Sequence, residues 1–371
     1  MSNRNLVFLV IIAAVLLTWA VIQSKISNRT RTVSHGPAYL VSGLNTEDLE
    51  SIEIKSGDNA FTIKRSGDKF VLAEKDNYPV DISKINDLIS KCLDIKISQI
   101  ITDKSNNHKD LGVVEEYAQT VIKFIKPDSS VLMGLIIGNT KESGQGTYVR
   151  LISNDHVYEA AEIPYFETQE INYLKKMIVS IVRKDIEKVT VISPEGQYTL
   201  EAQDGSNDIA LANIPAGKSL KKTDADSVFN VLSDLNFTDV MKDPGDLTFE
   251  NTYICRLFNT TEFTFNIAQK DEKTFIKCSA KFTEGRPISI KKDEPQEQLK
   301  EKEEKLLLDD KANDFTDRHE GWVYQIPDYK AGNLTKALAD LLEDQPESLE
   351  PIDVNDITDP NMILNNLLFE Q

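Results

Sequence analysis

The sequence predicts an α+β chain: an N-terminal transmembrane helix followed by two tandem related modules, each a mostly antiparallel sheet with helices on one face. Three observations carry this reading. One uncharged apolar run stands near the N-terminus, apolar-polar alternations separated by turn residues fill most of the chain, and those alternations recur once further along it, at an offset that grows toward the end.

The apolar run extends from Leu6 to Ile22 without a charge. As a helix it would extend about 26 Å, the short end of what crosses a bilayer. Trp19 lies near its end, where an indole can sit at the interface. A cleaved signal peptide is the rival reading, but no small-x-small site follows, since Thr18-Trp19-Ala20 has a bulky indole in the middle. An uncleaved anchor is therefore expected. Arg4 stands on one side and Lys25, Arg29 and Arg31 on the other, so charge alone leaves both orientations open. The orientation carried forward places the body outside the cytoplasm.

The modules follow from sliding the chain along itself, which at one constant offset lays Asp48 to Ile54 over Asp185 to Val191, Phe61 over Tyr198 and Ile63 over Leu200. Each copy alternates with a period of two and breaks at Ser56-Gly57-Asp58-Asn59 or Ser193-Pro194-Glu195-Gly196, so each opens as a hairpin. A helix is expected next, over Asp81 to Cys92 and Thr223 to Leu232, then a strand at Leu93 to Ile97 and at Leu235 to Val240. Three antiparallel strands follow in each copy: Thr120 to Ile125, Val131 to Ile137 and Thr147 to Ser153, then Thr252 to Phe258, Glu262 to Ile267 and Lys273 to Ala280. Both copies close on Val-Tyr, at Val157-Tyr158 and Val323-Tyr324, and a helix, Thr168 to Ile178 and Asn333 to Leu342.

The expected layout is residues 1–31 as a membrane anchor with basic flanks, 44–177 as the first module, 178–342 as the second and 343–371 as an acidic tail. Residues 284–318 form a charged insertion in the second module, read as a solvated helix or mobile loop, with a partner-docking element as the alternative. In the tail, acids and prolines up to Pro360 predict a poorly ordered linker, and Met362-Ile363-Leu364 with Leu367-Leu368-Phe369 a short docking segment. Whether that segment docks on a partner or on its own body is open.

Several phrases carry a family resemblance: Asp110-Leu111-Gly112 ahead of a strand, Leu135-Ile136-Ile137-Gly138, Tyr148-Val149-Arg150, Val157-Tyr158, and Gly321 to Tyr329 (GWVYQIPDY) leading into Asp340-Leu341-Leu342. With the apolar N-terminal run and the hairpin after Asp48-Leu49, this pattern resembles the bacterial family catalogued as domain of unknown function 4340 (DUF4340). The second module departs from the first at Ala268-Gln269, which stand where Gly138-Asn139 do. The resemblance implies a membrane-anchored protein whose relatives occur beside components of ATP-driven transporters, including ones associated with gliding motility. It implies no catalytic residues.

Composition narrows the function classes. Residues 32–371 hold 38 Lys and Arg against 60 Asp and Glu, a net charge of −22, which argues against a nucleic-acid partner. His35, His108, His156 and His319 lie outside ligand spacing of one another; His108 and His156 read as a polar loop and an exposed hairpin tip. No phosphate-binding loop, dinucleotide fingerprint or nucleophile elbow occurs, and Gly144-Gln145-Gly146 precedes a strand and reads as a hairpin loop. Acid neighbours such as Glu115-Glu116, Glu303-Glu304 and Asp309-Asp310 point apart on any regular element. Cys92 falls on an apolar helix face, and Cys255 and Cys278 on strands flanking a third, so all three are expected unbridged. No catalytic, cofactor-binding or metal-ligating residue is assigned. The first functional reading is a non-catalytic accessory or scaffold protein of the cytoplasmic membrane with an extracytoplasmic body, engaging protein partners such as subunits of an ATP-driven (ABC-type) transporter. A second is a binding module for a small lipid or glycan in a cleft between the modules, and a third a hydrolase with dispersed carboxylates.

Overall fold

The computed structural model describes residues 38–203, 208–284 and 294–345. The anchor, Leu6 to Ile22, lies outside them, and among the described residues no helix is long and apolar enough to cross a membrane. The fold of the described residues is mostly antiparallel sheet with four helices. The chain divides into two compact units: one runs to Ala73 and resumes over Pro79–Tyr173, and the other takes Glu74–Tyr78 and the chain from Leu174 onward.

The first unit is built on β1 (Ala38–Tyr39), β2 (Ser51–Ser56), β3 (Asn59–Ser66), β4 (Lys69–Leu72), β5 (Tyr78–Pro79, of which only Pro79 belongs to this unit), β6 (Lys96–Thr102), β7 (Thr120–Ile125), β8 (Val131–Thr140), β9 (Thr147–Leu151) and β10 (Val157–Ala160). They form one sheet in the order β1-β6-β10-β9-β8-β7-β2-β3-β4-β5. The second unit contains β11 (Met177–Val179), β12 (Ile186–Ser193), β13 (Gly196–Ala202), β14 (Ile209–Leu211), β15 (Lys218–Leu220), β16 (Leu235–Asn236), β17 (Asp239–Lys242), β18 (Asn251–Leu257), β19 (Thr261–Lys270), β20 (Lys273–Phe282), β21 (Trp322–Ile326) and β22 (Leu342–Asp344). Its main sheet runs β14-β13-β12-β18-β19-β20-β21-β17, while β11 pairs with β16 and β15 with β22. This is the order β4-β3-β2-β7-β8-β9-β10-β6 of the first unit, repeated position by position.

Register explains the repetition. Ile52 faces Ile63 and Phe124 across its two neighbouring strands, and Ile54 faces Phe61 and Ile122. In the second unit Val189 faces Leu200 and Cys255, and Val191 faces Tyr198 and Tyr253. All of these are buried. Directly opposed residues project from the same side of a sheet, so each set is one continuous inward face.

Helix α1 (Ile82–Leu93) buries Ile85, Leu88 and Cys92 on one side, and begins where the Asp81 carboxylate accepts from Ser83 N–H at 3.0 Å. It runs through Leu93, so the expected strand starts later, at Lys96. Helix α2 (Lys222–Phe229) buries Ala225, Val228 and Phe229 and ends before the expected Leu232; Val231–Asp234 tightens into a 3₁₀ turn. The expected helix over Thr168 to Ile178 is not formed: Glu170–Tyr173 is one 3₁₀ turn and Met177–Val179 is β11. Its residues Ile178 and Val179 are β-branched, and the pairing with β16 outweighs the helical spacing. The closing helix starts earlier than expected, as α4 (Asp328–Leu334) directly after Pro327, and the chain then turns into β22. That strand takes in Glu343 and Asp344, the first two residues assigned to the tail; residues 346–371 lie outside the description.

Residues 285–293 of the insertion lie outside the description, and the remainder is mostly helical and not solvated throughout. Helix α3 (Gln296–His319) exposes its first turns but buries Ala312, Phe315 and His319, with Phe315 edge-on to Phe263 at 5.2 Å. Thr316 binds both backbone groups of Ala280, its hydroxyl lying 2.9 Å from the N–H and 2.8 Å from the carbonyl.

The two units differ where the sequence departs. Asn139 N–H donates to Leu111 O at 2.9 Å and its side chain to Asp110 O at 3.2 Å, fastening the 110–112 loop onto the end of β8. The ladder to β9 shifts register there, whereas β19 and β20 pair without interruption from Thr261 to Lys270. A Cβ on Gly138 would lie 2.5 Å from Leu111 O, and Gly112 has φ +69°. Gly138→Ala is expected to cost about 1–3 kcal/mol through this collision with backbone, whereas Ala268→Gly at the corresponding position should cost about 0.5–1 kcal/mol. Thermal denaturation of the two variants checks this, and equal melting would refute the docking role of Gly138.

Candidate functional site

In the first unit, polar side chains of the family-like phrases bind backbone carbonyls. Arg150 donates from Nε to Val113 O at 3.0 Å and from Nη1 to Asn154 O at 3.1 Å. His108, expected in a solvated loop, is buried, with Nε2 2.9 Å from Asp155 O. These bonds hold the loop over a small apolar cluster of Val113, Val121, Ile136 and Val157. His156 is exposed, as its hairpin-tip position suggests.

The second unit holds an aromatic and histidine cluster that the sequence alone does not single out. Tyr78 packs edge-on to Trp322 at 4.8 Å and to Phe237 at 5.8 Å, and Phe237 lies 5.3 Å from Tyr324. Tyr78 and Tyr324 also share a side-chain hydrogen bond, and burial raises both phenol pKa values. His319, at the end of α3, places Nδ1 2.6 Å from the Tyr324 hydroxyl and meets Phe315 at 4.5 Å with the rings tilted by 51°. Its Nε2 is buried without a hydrogen-bond partner. Burial first and Arg318 second depress its pKa to about 4, so the ring is neutral near pH 7. Lys330 is similarly enclosed, donating to Val231 O at 2.8 Å, with burial lowering its pKa.

An open groove of about 460 Å³ lies in the same unit, between the β12–β13 hairpin and the chain after α4. Ser193, Glu195 and Tyr198 form one wall and Ala337, Leu338 and Leu342 the other. The Tyr198 ring is buried and its hydroxyl donates to Lys336 O at 2.8 Å, which fixes the ring at the groove's base. The hairpin wall is polar apart from the Tyr198 ring, with Glu195 exposed, and the opposite wall is apolar. Hairpin and opposite wall are far apart in sequence, so no local pattern announces the groove.

Glu115, in a turn, binds Lys123 at 2.5 Å, and Glu303-Glu304 and Asp309-Asp310 lie along α3. Carboxylates with a displaced pKa are shifted downward, as at Asp224 beside Lys336 and Asp243 beside Lys277, which favours the ionised form. Cys92, Cys255 and Cys278 are free and buried, and burial alone pushes the first two thiols up to about 12. Cys255 and Cys278 flank β19, paired with Phe263 and Phe265. Among the described residues no group of three His, Cys, Asp or Glu side chains is placed to hold a metal ion.

Residues 71–252 match the model of a family described as Domain of unknown function (DUF4340). The match runs from β4 into β18 and includes Asp110-Leu111-Gly112, Gly138 and Arg150, while Gly321 to Tyr329 falls beyond it. No curated protein and no solved structure matches this chain.

The depressed pKa of His319 makes stability pH-dependent. Between about pH 6.5 and 4 the unfolded chain binds a proton at this residue that the folded chain does not. Stability from this source is thus complete above pH 6.5 and falls as the pH drops toward 4, by about 3 kcal/mol in all. His319→Phe, which keeps a ring against Phe315, should flatten the fall; denaturant titrations at pH 7 and pH 4.5 measure it, and an unchanged difference would disprove the assignment.

Proposed function

We propose that this DUF4340 protein is a non-catalytic accessory or scaffold protein, held in the cytoplasmic membrane by Leu6–Ile22 with its body on the outer face. Its partners are proteins, in an assembly that includes an ATP-driven transporter. The observation that carries the reading is how the body's polar chemistry is used. Arg150, His108, Thr316 and Lys330 are turned onto backbone groups of their own unit, so they fix loops and helices in place. The anchor and its orientation rest on the sequence, and the transporter on the family resemblance.

Charge and size support the same division of labour. A body with a net charge of −22 over residues 32–371 is suited to meeting a basic or mixed protein surface by steering and complementarity. One membrane helix cannot line a transport path, which in helical transporters is built among several spans, so translocation and ATP hydrolysis would belong to other subunits.

Protease added to spheroplasts is expected to digest the body and leave a short membrane-bound fragment; a body protected until lysis would reverse the orientation. Crosslinking in native membranes, mild-detergent purification and mass spectrometry should recover transporter subunits with the chain. Recovery of this protein alone would refute the assembly.

A further inference from the structure

The groove of the second unit opens next to the point where the chain begins its last segment. Leu342 is both a lining residue and the first residue of β22. Just beyond that strand Gln345 N–H donates to Gly217 O at 3.0 Å, and residues 346–371 follow. We propose that the chain's own C-terminal segment, Met362–Phe369, occupies this groove in cis.

Reach, charge and chemistry agree on that occupant. The linker runs from Gln345 to Met362. As a flexible coil it has an end-to-end distance on the order of 20–25 Å, and extended it reaches about 56 Å. The near wall of the groove is only about 10 Å back along β22, so closing the loop costs little entropy. The linker carries Glu347, Glu350, Asp353, Asp356 and Asp359, and to return along β22 it would have to reverse direction after Pro346. Lysines bracket that path: Lys218 Nζ lies 2.6 Å from Asp344, Lys221 Nζ 3.2 Å from Asp340 O, and Lys222 is mostly exposed. Exposed ion pairs are weak, so linker acids can share these ammonium groups.

Residues 361–369 carry no charge, and Ile363 with Leu367 and Leu364 with Leu368 stand four apart, the spacing of one helical stripe. An apolar stripe laid into a groove is a recurrent mode of peptide recognition. The Tyr198 ring, Leu338 and Leu342 supply the apolar surface, and about 460 Å³ accommodates a few side chains but not the face of a globular partner.

Hydrogen exchange read by mass spectrometry tests this on the full chain in detergent, the chain ending at Gln345, and the full chain with Leu364→Asp and Leu368→Asp together. The last variant keeps length, linker and β22. The amides of Gly196–Tyr198 and Ala337–Leu342 should exchange about tenfold more slowly in the unaltered full chain than in the other two, as an intramolecular contact at millimolar effective concentration gives. That protection should survive tenfold dilution. Equal exchange in all three forms would overturn the proposal, and protection lost on dilution would overturn it in favour of a second copy in the groove.

Discussion

Each unit rests on a register in which three adjacent strands turn their large apolar residues to the same side: Phe124, Ile52 and Ile63 in one, Cys255, Val189 and Leu200 in the other. A slip of one residue in any of these ladders would carry its whole apolar set to the opposite face, so the register is held by the burial it permits. Everything else is placed by reference to that face. In the second unit Tyr253 reaches from it to bond Val228 O of α2 at 2.9 Å. The opposite face of the second sheet pairs Thr190 with Thr199 and Thr252 with Asn266, a surface that needs no cover. The first unit instead lays its 110–112 loop there, and that is why it carries glycine at 138 and the second unit carries alanine at 268.

What can be read from the sequence follows from interactions that are periodic or local. Thr120–Ile125 stands as expected to the residue, and the other central strands to within a few, because alternation over six or more residues leaves little freedom. The Asp81 cap marks where α1 begins for the same reason, a contact two residues away. Thr168 to Ile178 misleads because its apolar residues fit a helical stripe and a strand equally, and the choice between them belongs to Leu235 and Asn236, a whole hairpin and helix further on. The α3 insertion reads as solvated because only Ala312, Phe315 and His319 are buried in a charged sequence, and what they cover, Phe263, is set by the register of another hairpin. The groove is invisible in the sequence on the same grounds, being made by a hairpin turn and a distant stretch that share no pattern.

The displaced titratable groups owe their shifts to two different causes. Cys92 and Cys255 keep their protons, His319 loses its own, and the carboxylates that shift remain ionised beside lysines. Burial holds the thiols and the imidazole neutral, whereas hydrogen bonds from lysine ammonium groups hold Asp224 and Asp243 ionised.

The membership of Glu74–Tyr78 in the second unit bears on how the chain is made. Lys75 pairs with Asp239 at 2.7 Å, Asp76 accepts from Lys242 N–H at 3.2 Å, and Tyr78 meets Trp322, a residue from the far end of the chain. During synthesis this short segment emerges early, and its aromatic partners come only near the end. A growing chain therefore cannot complete the second unit's core from consecutive sequence. It has to keep Tyr78 available until Tyr324 has been added, so one of the last strands to be made closes a core whose first ring was laid down long before.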